Sequence, residues 1–137
     1  MLGLFKSNKK TDRARILVVD DEPDLVSTIE GRLQWCHCQV FTASNGKEGL
    51  REALKEKPDL ILLDISMPVM NGPEMLEQLK KDPNLKDIPV IMCTALCDAD
   101  DIARVSVYGV TDYVTKPFDF TELMEKITNI LKDKNFD

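Results

Sequence analysis

The fold is decided by a stretch near the middle of the chain, which reads Asp59-Leu60-Ile61-Leu62-Leu63-Asp64-Ile65-Ser66-Met67-Pro68. Four consecutive branched aliphatic residues are typical of a strand that is buried on both faces, as in a parallel sheet covered by helices. Because the apolar run stops at Asp64, we expect this carboxylate at the rim of the core, on a rigid strand. Pro68 and the pair Asn71-Gly72 indicate a loop after the strand.

Length and composition are those of one globular domain. The chain has 137 residues, of which 43% are hydrophobic, and this is enough to bury a substantial core. The formal net charge of -6 disfavours nucleic acid or an anionic membrane as the partner of the folded body. No apolar run approaches the roughly 20 residues of a membrane span, and residues 1–5 are too short for a signal peptide. We therefore expect a cytoplasmic protein that does not bind nucleic acid directly.

The four cysteines are predicted to be free thiols. Because a secretory signal is missing, disulfides between Cys36, Cys38, Cys93 and Cys97 are not expected. Their spacing, with His37 included, differs from that of the usual zinc sites. Packing in the core is the favoured alternative to metal binding.

The two ends of the chain are predicted to flank the folded domain. Residues 1–14 combine a few apolar residues with several cations, and a flexible lead-in is favoured over a segment that contacts a membrane or a partner. The domain itself is expected over residues 15–133. Residues 134–137 would form a C-terminal tail.

Strand and helix patterns alternate along this domain. Further strands are predicted over residues 16–19, 39–43, 89–93 and 112–115. Helices are predicted to begin near Pro23, Gly46, Pro73, Asp98 and Asp119. This alternation predicts an α/β fold, a single doubly wound (βα)5 domain of the flavodoxin-like kind. Its parallel five-stranded sheet would have the order 2-1-3-4-5.

Polar residues stand at the carboxyl ends of four predicted strands. Asp20 and Asp21 follow the first strand, Asp64 ends the third, Thr94 the fourth and Lys116 the fifth. In an open α/β sheet the functional crevice lies beyond these ends, where the strand order reverses. The first and third strands are neighbours there. We therefore expect the three acids to lie together, with the threonine and the lysine on the same rim.

This group of residues suits phosphoryl chemistry. Three clustered carboxylates repel one another unless a proton or a cation neutralises them. Oxygen ligands favour Mg²⁺, with Mn²⁺ as an alternative. An exposed aspartate beside such a cation is equipped to attack a phosphoryl group. The Lys116 ammonium and the Thr94 hydroxyl can neutralise the other phosphoryl oxygens.

The sequence resembles the receiver domains of bacterial two-component response regulators, including the chemotaxis regulators. The resemblance covers about residues 15–132. The matching stretches are Val18-Val19-Asp20-Asp21-Glu22-Pro23, Leu63-Asp64-Ile65-Ser66-Met67-Pro68-Val69-Met70-Asn71-Gly72, Pro89-Val90-Ile91-Met92-Cys93-Thr94-Ala95 and Asp112-Tyr113-Val114-Thr115-Lys116-Pro117-Phe118.

The resemblance implies a phospho-acceptor and a metal site. Asp64 would accept the phosphoryl group. Asp21, Asp64 and the backbone carbonyl of Ser66 would bind Mg²⁺, and Asp20 would act mainly through a metal-bound water.

The resemblance also implies a switch. Thr94 and Lys116 would contact the phosphoryl group, and Tyr113 would swing inward as Thr94 moves. The peptide bond between Lys116 and Pro117 would be cis.

A histidine kinase or a phosphotransfer protein would supply the phosphoryl group in a two-component phosphorelay. Phosphorylation would change the output face, which we define as the predicted helix 98–107, the fifth strand and the last helix. A downstream protein or an output domain would bind there. The domain would assist its own phosphorylation and dephosphorylation but would not otherwise be an enzyme. The sequence does not identify the kinase or the target. It is compatible with a dimer that forms on phosphorylation, and with a domain that belongs to a longer protein.

Two alternative functions are compatible with parts of the sequence. A receiver could work as a constitutive, unphosphorylated docking domain. An aspartyl-phosphate phosphatase of the haloacid dehalogenase class is disfavoured, because Ser66 stands where those enzymes have a second Asp as general acid.

Asn71 replaces the Asp of many receivers, with little expected effect. Ser66 and Leu96 lie where the family tunes water access, and they do not predict the phosphoryl lifetime.

Overall fold

The structure, a computed structural model, describes residues 12–95, 100, 103 and 106–136. Within them the chain forms β1 (Arg15–Val19), α1 (Pro23–Trp35), β2 (Gln39–Ala43), α2 (Gly46–Glu56), β3 (Leu60–Asp64), α3 (Gly72–Lys81), β4 (Val90–Ala95), β5 (Asp112–Lys116) and α4 (Phe120–Ile130). The strands make one parallel sheet in the order β2-β1-β3-β4-β5, which confirms the predicted topology. Most of the predicted helix 98–107 lies outside the described residues, as do Leu96 and Cys97. Among the described helices, none has the length and apolar character needed to cross a bilayer.

The central strands fill two buried layers, one on each face of the sheet. Leu17 and Ile61 pack with α2 and α3 on one face. Ile16 and Leu62 pack with α1 and α4 on the other. Because successive side chains of a strand point to opposite faces, a strand without polar alternation is buried on both. All five residues of β3 are buried, including the aspartate at its end.

The loop after β3 is attached directly to the end of that strand. The N–H of Gly72 donates to the carbonyl of Ile65 at 2.9 Å. A Cβ on Gly72 would collide with the backbone carbonyl of Asp64. The next helix starts at once, because Asn71 and Glu74 form a capping box at the beginning of α3. These contacts hold the backbone that carries the Asp64 side chain.

The two described ends of the chain meet at the other end of the sheet. Arg13 and Asn135 form an isolated parallel bridge. The N–H of Asn135 donates to the carbonyl of Asp12 at 2.9 Å. Ala14 is fully buried, and Phe136 packs against the layer formed with α1 and α4. The domain boundaries at residues 15 and 133 stay predictions.

Three of the four cysteines lie in the described part of the chain, and all three are free thiols. Cys38 and Cys93 are buried, as predicted, while Cys36 is partly exposed. Burial raises the pKa of Cys38 to about 11 and that of Cys93 to about 12. These two side chains therefore stay protonated at neutral pH and serve as packing groups.

Candidate functional site

The register of the strands brings the predicted site residues to one rim. Val19 of β1 pairs with Leu63 of β3, so Asp20 and Asp64 are the next residues along these neighbouring strands. The rim continues across β4 and β5 through the pairs Asp64–Cys93, Thr94–Thr115 and Ala95–Lys116. The parallel pairing therefore places all the predicted polar groups at the carboxyl ends of their strands.

Three carboxylates form a tight cluster on this rim. Asp20, Asp21 and Asp64 each offer a carboxylate oxygen, and these atoms lie within 4.8 Å of one another. Asp20 and Asp64 are only 4% and 7% exposed, whereas Asp21 is exposed. The donor set consists of oxygens alone and is open to solvent on one side. It has the chemistry that a hard divalent cation requires.

Lys116 reaches this cluster from the end of β5 and forms three ion pairs. Its Nζ lies 2.8 Å from Oδ2 of Asp20, 3.0 Å from Oε1 of Glu22 and 3.1 Å from Oδ1 of Asp64. Burial by itself would lower the pKa of the Lys116 ammonium. Hydrogen bonds to Asp20 and Glu22 and the nearby negative charges outweigh burial and raise this pKa. Lys116 therefore stays cationic at any physiological pH.

The pKa of Asp64 is displaced in the opposite sense from that of a typical paired aspartate. Burial is the largest cause and the charge of Asp20 the second, and together they raise this pKa from 3.8 to about 6. The Lys116 ammonium opposes the shift but does not cancel it. The raised pKa of Asp64 therefore reflects its burial first and the neighbouring carboxylate of Asp20 second.

Thr94 and Tyr113 lie beside the cluster in distinct environments. Thr94 is fully buried at the end of β4, and its hydroxyl donates to the carbonyl of Ala95 at 3.1 Å. Tyr113 on β5 is half-buried against the layer formed with α2 and α3. Its hydroxyl lies 2.8 Å from Oγ of Ser106, and either oxygen can donate. Thr94 thus contacts the rim, and Tyr113 faces the segment that precedes β5.

The family profile of the response regulator receiver domain matches residues 16–128. The chain belongs to this receiver domain family. The transcriptional regulatory protein PrrA of Mycobacterium tuberculosis is 37% identical over 118 residues, which are 86% of this chain and 50% of PrrA. The receiver spans about half the length of curated relatives such as PrrA and the probable transcriptional regulators ycf27.

Solved structures of other receiver domains resemble this chain in fold. The chemotaxis response regulator CheY4 of Vibrio cholerae superposes with a TM-score of 0.80 at 29% identity, covering 86% of this chain and 98% of CheY4. The receiver domain of the sensor histidine kinase PA1611 from Pseudomonas aeruginosa gives a TM-score of 0.81 at 28% identity, covering 88% and 98%. In that structure a magnesium ion is coordinated in the active-site cleft.

The receiver brings together most of the residues that the sequence singled out. Asp20, Asp21, Asp64 and Lys116 form one cluster, and the predicted cis bond between Lys116 and Pro117 is present. The Ser66 side chain is exposed on the loop after β3. The role of its backbone carbonyl as a metal ligand stays a prediction.

One contact of this site has no counterpart in the sequence prediction. Glu22 is the third acid of the run after β1, and it pairs with Lys116 across 94 positions of the chain. A third acid directly after an Asp pair was the available signal. It was not informative alone, because an acid at the start of a helix is common for reasons of helix stability.

Proposed function

We propose that Asp64 accepts a phosphoryl group and that the receiver thereby acts as a switch in a two-component phosphorelay. The observation that carries this proposal is the arrangement around Asp64. Its carboxylate is nearly buried on a rigid strand, with two further carboxylates within 4.8 Å and the Lys116 ammonium at 3.1 Å. Such a carboxylate is held in one position for attack, and the cation beside it can receive the negative charge of the transferred group.

The three carboxylates fit a Mg²⁺ ion, with Mn²⁺ as a substitute. Asp20, Asp21 and Asp64 would hold it, together with the backbone carbonyl of Ser66. Support comes from the oxygen-only donor set and from the close approach of the three carboxylates, of which Asp20 contributes to the raised pKa of Asp64 after burial. When bound, the ion would supply positive charge against the developing charge on the phosphoryl oxygens.

The chain's own residues position and stabilise the transferred group. The oxygen of Asp64 forms the new bond to phosphorus, and the donor leaves with the electron pair of the bond that breaks. Lys116 exchanges one carboxylate partner for a phosphoryl oxygen. The hydroxyl of Thr94 exchanges the carbonyl of Ala95 for another, and this exchange keeps the buried hydroxyl hydrogen-bonded.

Phosphorylation by a small donor tests the acceptor. The protein is incubated with acetyl phosphate and Mg²⁺, and its intact mass is measured. We expect a single phosphoryl increment that is absent from Asp64→Ala and removed by hydroxylamine, as an acyl phosphate requires. Asp24 is an exposed acid in the first turn of α1, and Asp24→Asn should be phosphorylated like the parent. A parent protein that gains no phosphoryl mass would leave the constitutive docking domain as the better explanation.

Thr94 and Tyr113 are proposed to carry the signal from the rim to the output face. Support comes from their placement, since Thr94 is buried at the site and the Tyr113 hydroxyl faces Ser106. Amide hydrogen exchange with and without beryllofluoride, a phosphoryl mimic, tests this. We expect changed protection over residues 106–116 in the parent protein. In Thr94→Val, binding should remain while the distant change is lost.

The donor and the target are proposed by class. Receivers of two-component systems take phosphoryl groups from histidine kinases or phosphotransfer proteins, and the relatives include a hybrid signal transduction histidine kinase of Dictyostelium discoideum, at 38% identity over 119 residues. A cytoplasmic location follows if the donor kinase draws on cytoplasmic ATP. The output protein or domain would bind on the output face, on which β5 and α4 are described.

A phosphatase remains the weaker alternative. Asp64 lacks a second aspartate two residues later, since Ser66 occupies that position, and a serine hydroxyl is a poor general acid. Turnover of a generic phosphate ester such as p-nitrophenyl phosphate, lost in Asp64→Ala, would revive it. We expect no such turnover.

A further inference from the structure

We infer that Glu22 is a positioning residue that forms an ion pair with Lys116 in the unphosphorylated receiver. This ion pair opens when the incoming phosphoryl group binds Lys116. The inference rests on the proposed function of Asp64. The ammonium of Lys116 has three hydrogens. Three carboxylate oxygens lie within hydrogen-bonding distance of it, those of Asp20 at 2.8 Å, Glu22 at 3.0 Å and Asp64 at 3.1 Å. A phosphoryl oxygen can therefore bind Lys116 only after one carboxylate has moved.

Burial decides which carboxylate moves. The Asp20 side chain is 4% exposed, and its other oxygen accepts the backbone N–H of Glu22 at 3.0 Å. Withdrawing Asp20 would leave a buried charge unpaired, which is costly. Asp64 keeps its negative charge until the new bond forms, so it does not release Lys116 while the donor binds. The Glu22 side chain is 61% exposed, so water can solvate its carboxylate as soon as the ion pair opens.

The start of helix α1 points independently to a role for Glu22 in the site. Glu22 is the N-cap residue of α1, a position that favours Ser, Thr, Asp or Asn because their side chains bond to the first turn. The Glu22 side chain makes no such cap. Its carboxylate is directed across to Lys116 instead. A residue that departs from the local helix rule while completing the site is typical of functional positions.

Glu22 is expected to slow phosphoryl capture and to leave phosphoryl loss unchanged. With acetyl phosphate, an oxygen of Asp64 bonds to phosphorus, the bond from phosphorus to the acetyl oxygen breaks, and acetate leaves with the electron pair. No proton is transferred. Before this step the Glu22 carboxylate is paired with the Lys116 ammonium and repels the anionic donor. Afterwards Lys116 holds the phosphoryl group, and the released carboxylate contributes nothing further.

The substitution Glu22→Gln tests the inference, because glutamine keeps the length of the side chain and removes its charge. We expect the second-order rate constant with acetyl phosphate to rise about two- to fivefold, as for loss of a partly exposed ion pair. The gain should shrink as salt is added. Beryllofluoride should bind more tightly by a similar factor in the presence of Mg²⁺. Hydrolysis of the aspartyl phosphate should keep its parental rate.

Asp24→Asn is the matched control, since it removes one charge from the first turn of the same helix. The second-order rate constant of Asp24→Asn with acetyl phosphate should differ less from the parental value than the rate constant of Glu22→Gln does. The role of Glu22 would be overturned, with the proposed function of Asp64 untouched, by any of three results. These are equal phosphorylation rates for the two variants, slower phosphorylation of Glu22→Gln than of the parent, or a change in its hydrolysis rate as large as that in its phosphorylation rate. A parent protein that acquires no phosphoryl group would overturn the proposed function of Asp64 and, with it, this inference.

Discussion

The ammonium of Lys116 lies 3.1 Å from Oδ1 of Asp64. The last strand of the sheet thus places a cation directly on the carboxylate at the end of the central strand. Even so, the pKa of Asp64 is raised to about 6, because burial and the charge of Asp20 outweigh this pairing. The unphosphorylated receiver therefore holds an aspartate that is well positioned and poorly neutralised.

Replacing Asp64 should stabilise the fold when divalent cations are absent. An acid whose folded pKa is raised adds stability while it is protonated, and this contribution is lost as the pH rises from its ordinary value of 3.8 through about 6. Asp64→Asn avoids that loss. In EDTA its free energy of unfolding should exceed that of the parent by about 1–3 kcal/mol at pH 8 and by little at pH 4.

Urea denaturation at pH 4, 6 and 8 measures this difference. Addition of Mg²⁺ should stabilise the parent by mass action and stabilise Asp64→Asn much less. A difference between the two proteins that stays constant from pH 4 to pH 8 would contradict the assignment of the raised pKa to Asp64.

Replacing Lys116 should destabilise the fold. Lys116→Met keeps the apolar stem but leaves the buried carboxylates of Asp20 and Asp64 without their cation. We expect the free energy of unfolding at pH 8 in EDTA to fall by about 2–4 kcal/mol, and Mg²⁺ to restore part of the loss.

Lys126→Met is the matched control for this experiment. Lys126 pairs with Asp112, whose side chain is 39% exposed, so its loss should cost about 1 kcal/mol or less. If both substitutions cost the same, the cluster around Lys116 is not the source of the effect.

A methyl group on Gly72 should disturb the backbone of the acceptor. Its Cβ would meet the Asp64 carbonyl and approach Cα of Ile65 at 2.9 Å, and neither backbone atom can give way cheaply. Gly72→Ala should therefore lower the free energy of unfolding by about 2 kcal/mol or more. It should also slow phosphorylation of Asp64, because the attacking oxygen is displaced.

Gly31→Ala provides the comparison within the same chain. Gly31 lies in the middle of α1, and nothing lies within 4 Å of its added Cβ. This variant should be stabilised by about 0.5–1 kcal/mol through its higher helix propensity. Thermal and urea denaturation of both variants measure these opposite changes in stability. A neutral Gly72→Ala would show that the loop after β3 adjusts without strain.

Asn71 should tolerate aspartate but not alanine. Its side-chain oxygen accepts the N–H of Glu74 at 2.9 Å, and Glu74 returns the bond to the N–H of Asn71 at 3.0 Å. An aspartate at position 71 can make the same bond and suits the positive end of the helix. We expect Asn71→Asp to stay within about 0.5 kcal/mol of the parent and Asn71→Ala to lose about 1 kcal/mol. Urea denaturation distinguishes them, and equal losses would exclude the capping role.

The fold could be predicted because its signals are local. The run from Leu60 to Leu63 has no polar alternation, and such a strand must be covered on both faces. Asn45 stands at a turn and accepts the N–H of Glu48 at the start of α2, as cap chemistry predicts. The acid cluster was predictable for a related reason. Once the strands are parallel and their order is known, residues at the strand ends must meet on one rim.

Other features of the site depend on contacts that no local pattern reports. Glu22 contacts Lys116 over a separation of 94 residues, and the Tyr113 hydroxyl lies against Ser106 rather than the core. The bridge between Arg13 and Asn135 joins two segments that composition alone places outside the domain. Each contact forms because folding brings two distant loops or chain ends together, and periodicity and propensity do not encode such an approach.

The sequence by itself determined the layered α/β architecture and the polar residues at the strand ends, because burial patterns and strand ends are local properties. The strand order followed from the doubly wound fold type, and with it the meeting of these residues on one rim. Only the tertiary structure decided how those groups share charge. It gave Lys116 three carboxylate partners and raised the pKa of Asp64 to about 6. Pairing and desolvation depend on distances of a few ångströms between residues far apart in the chain, and only the folded packing sets those distances.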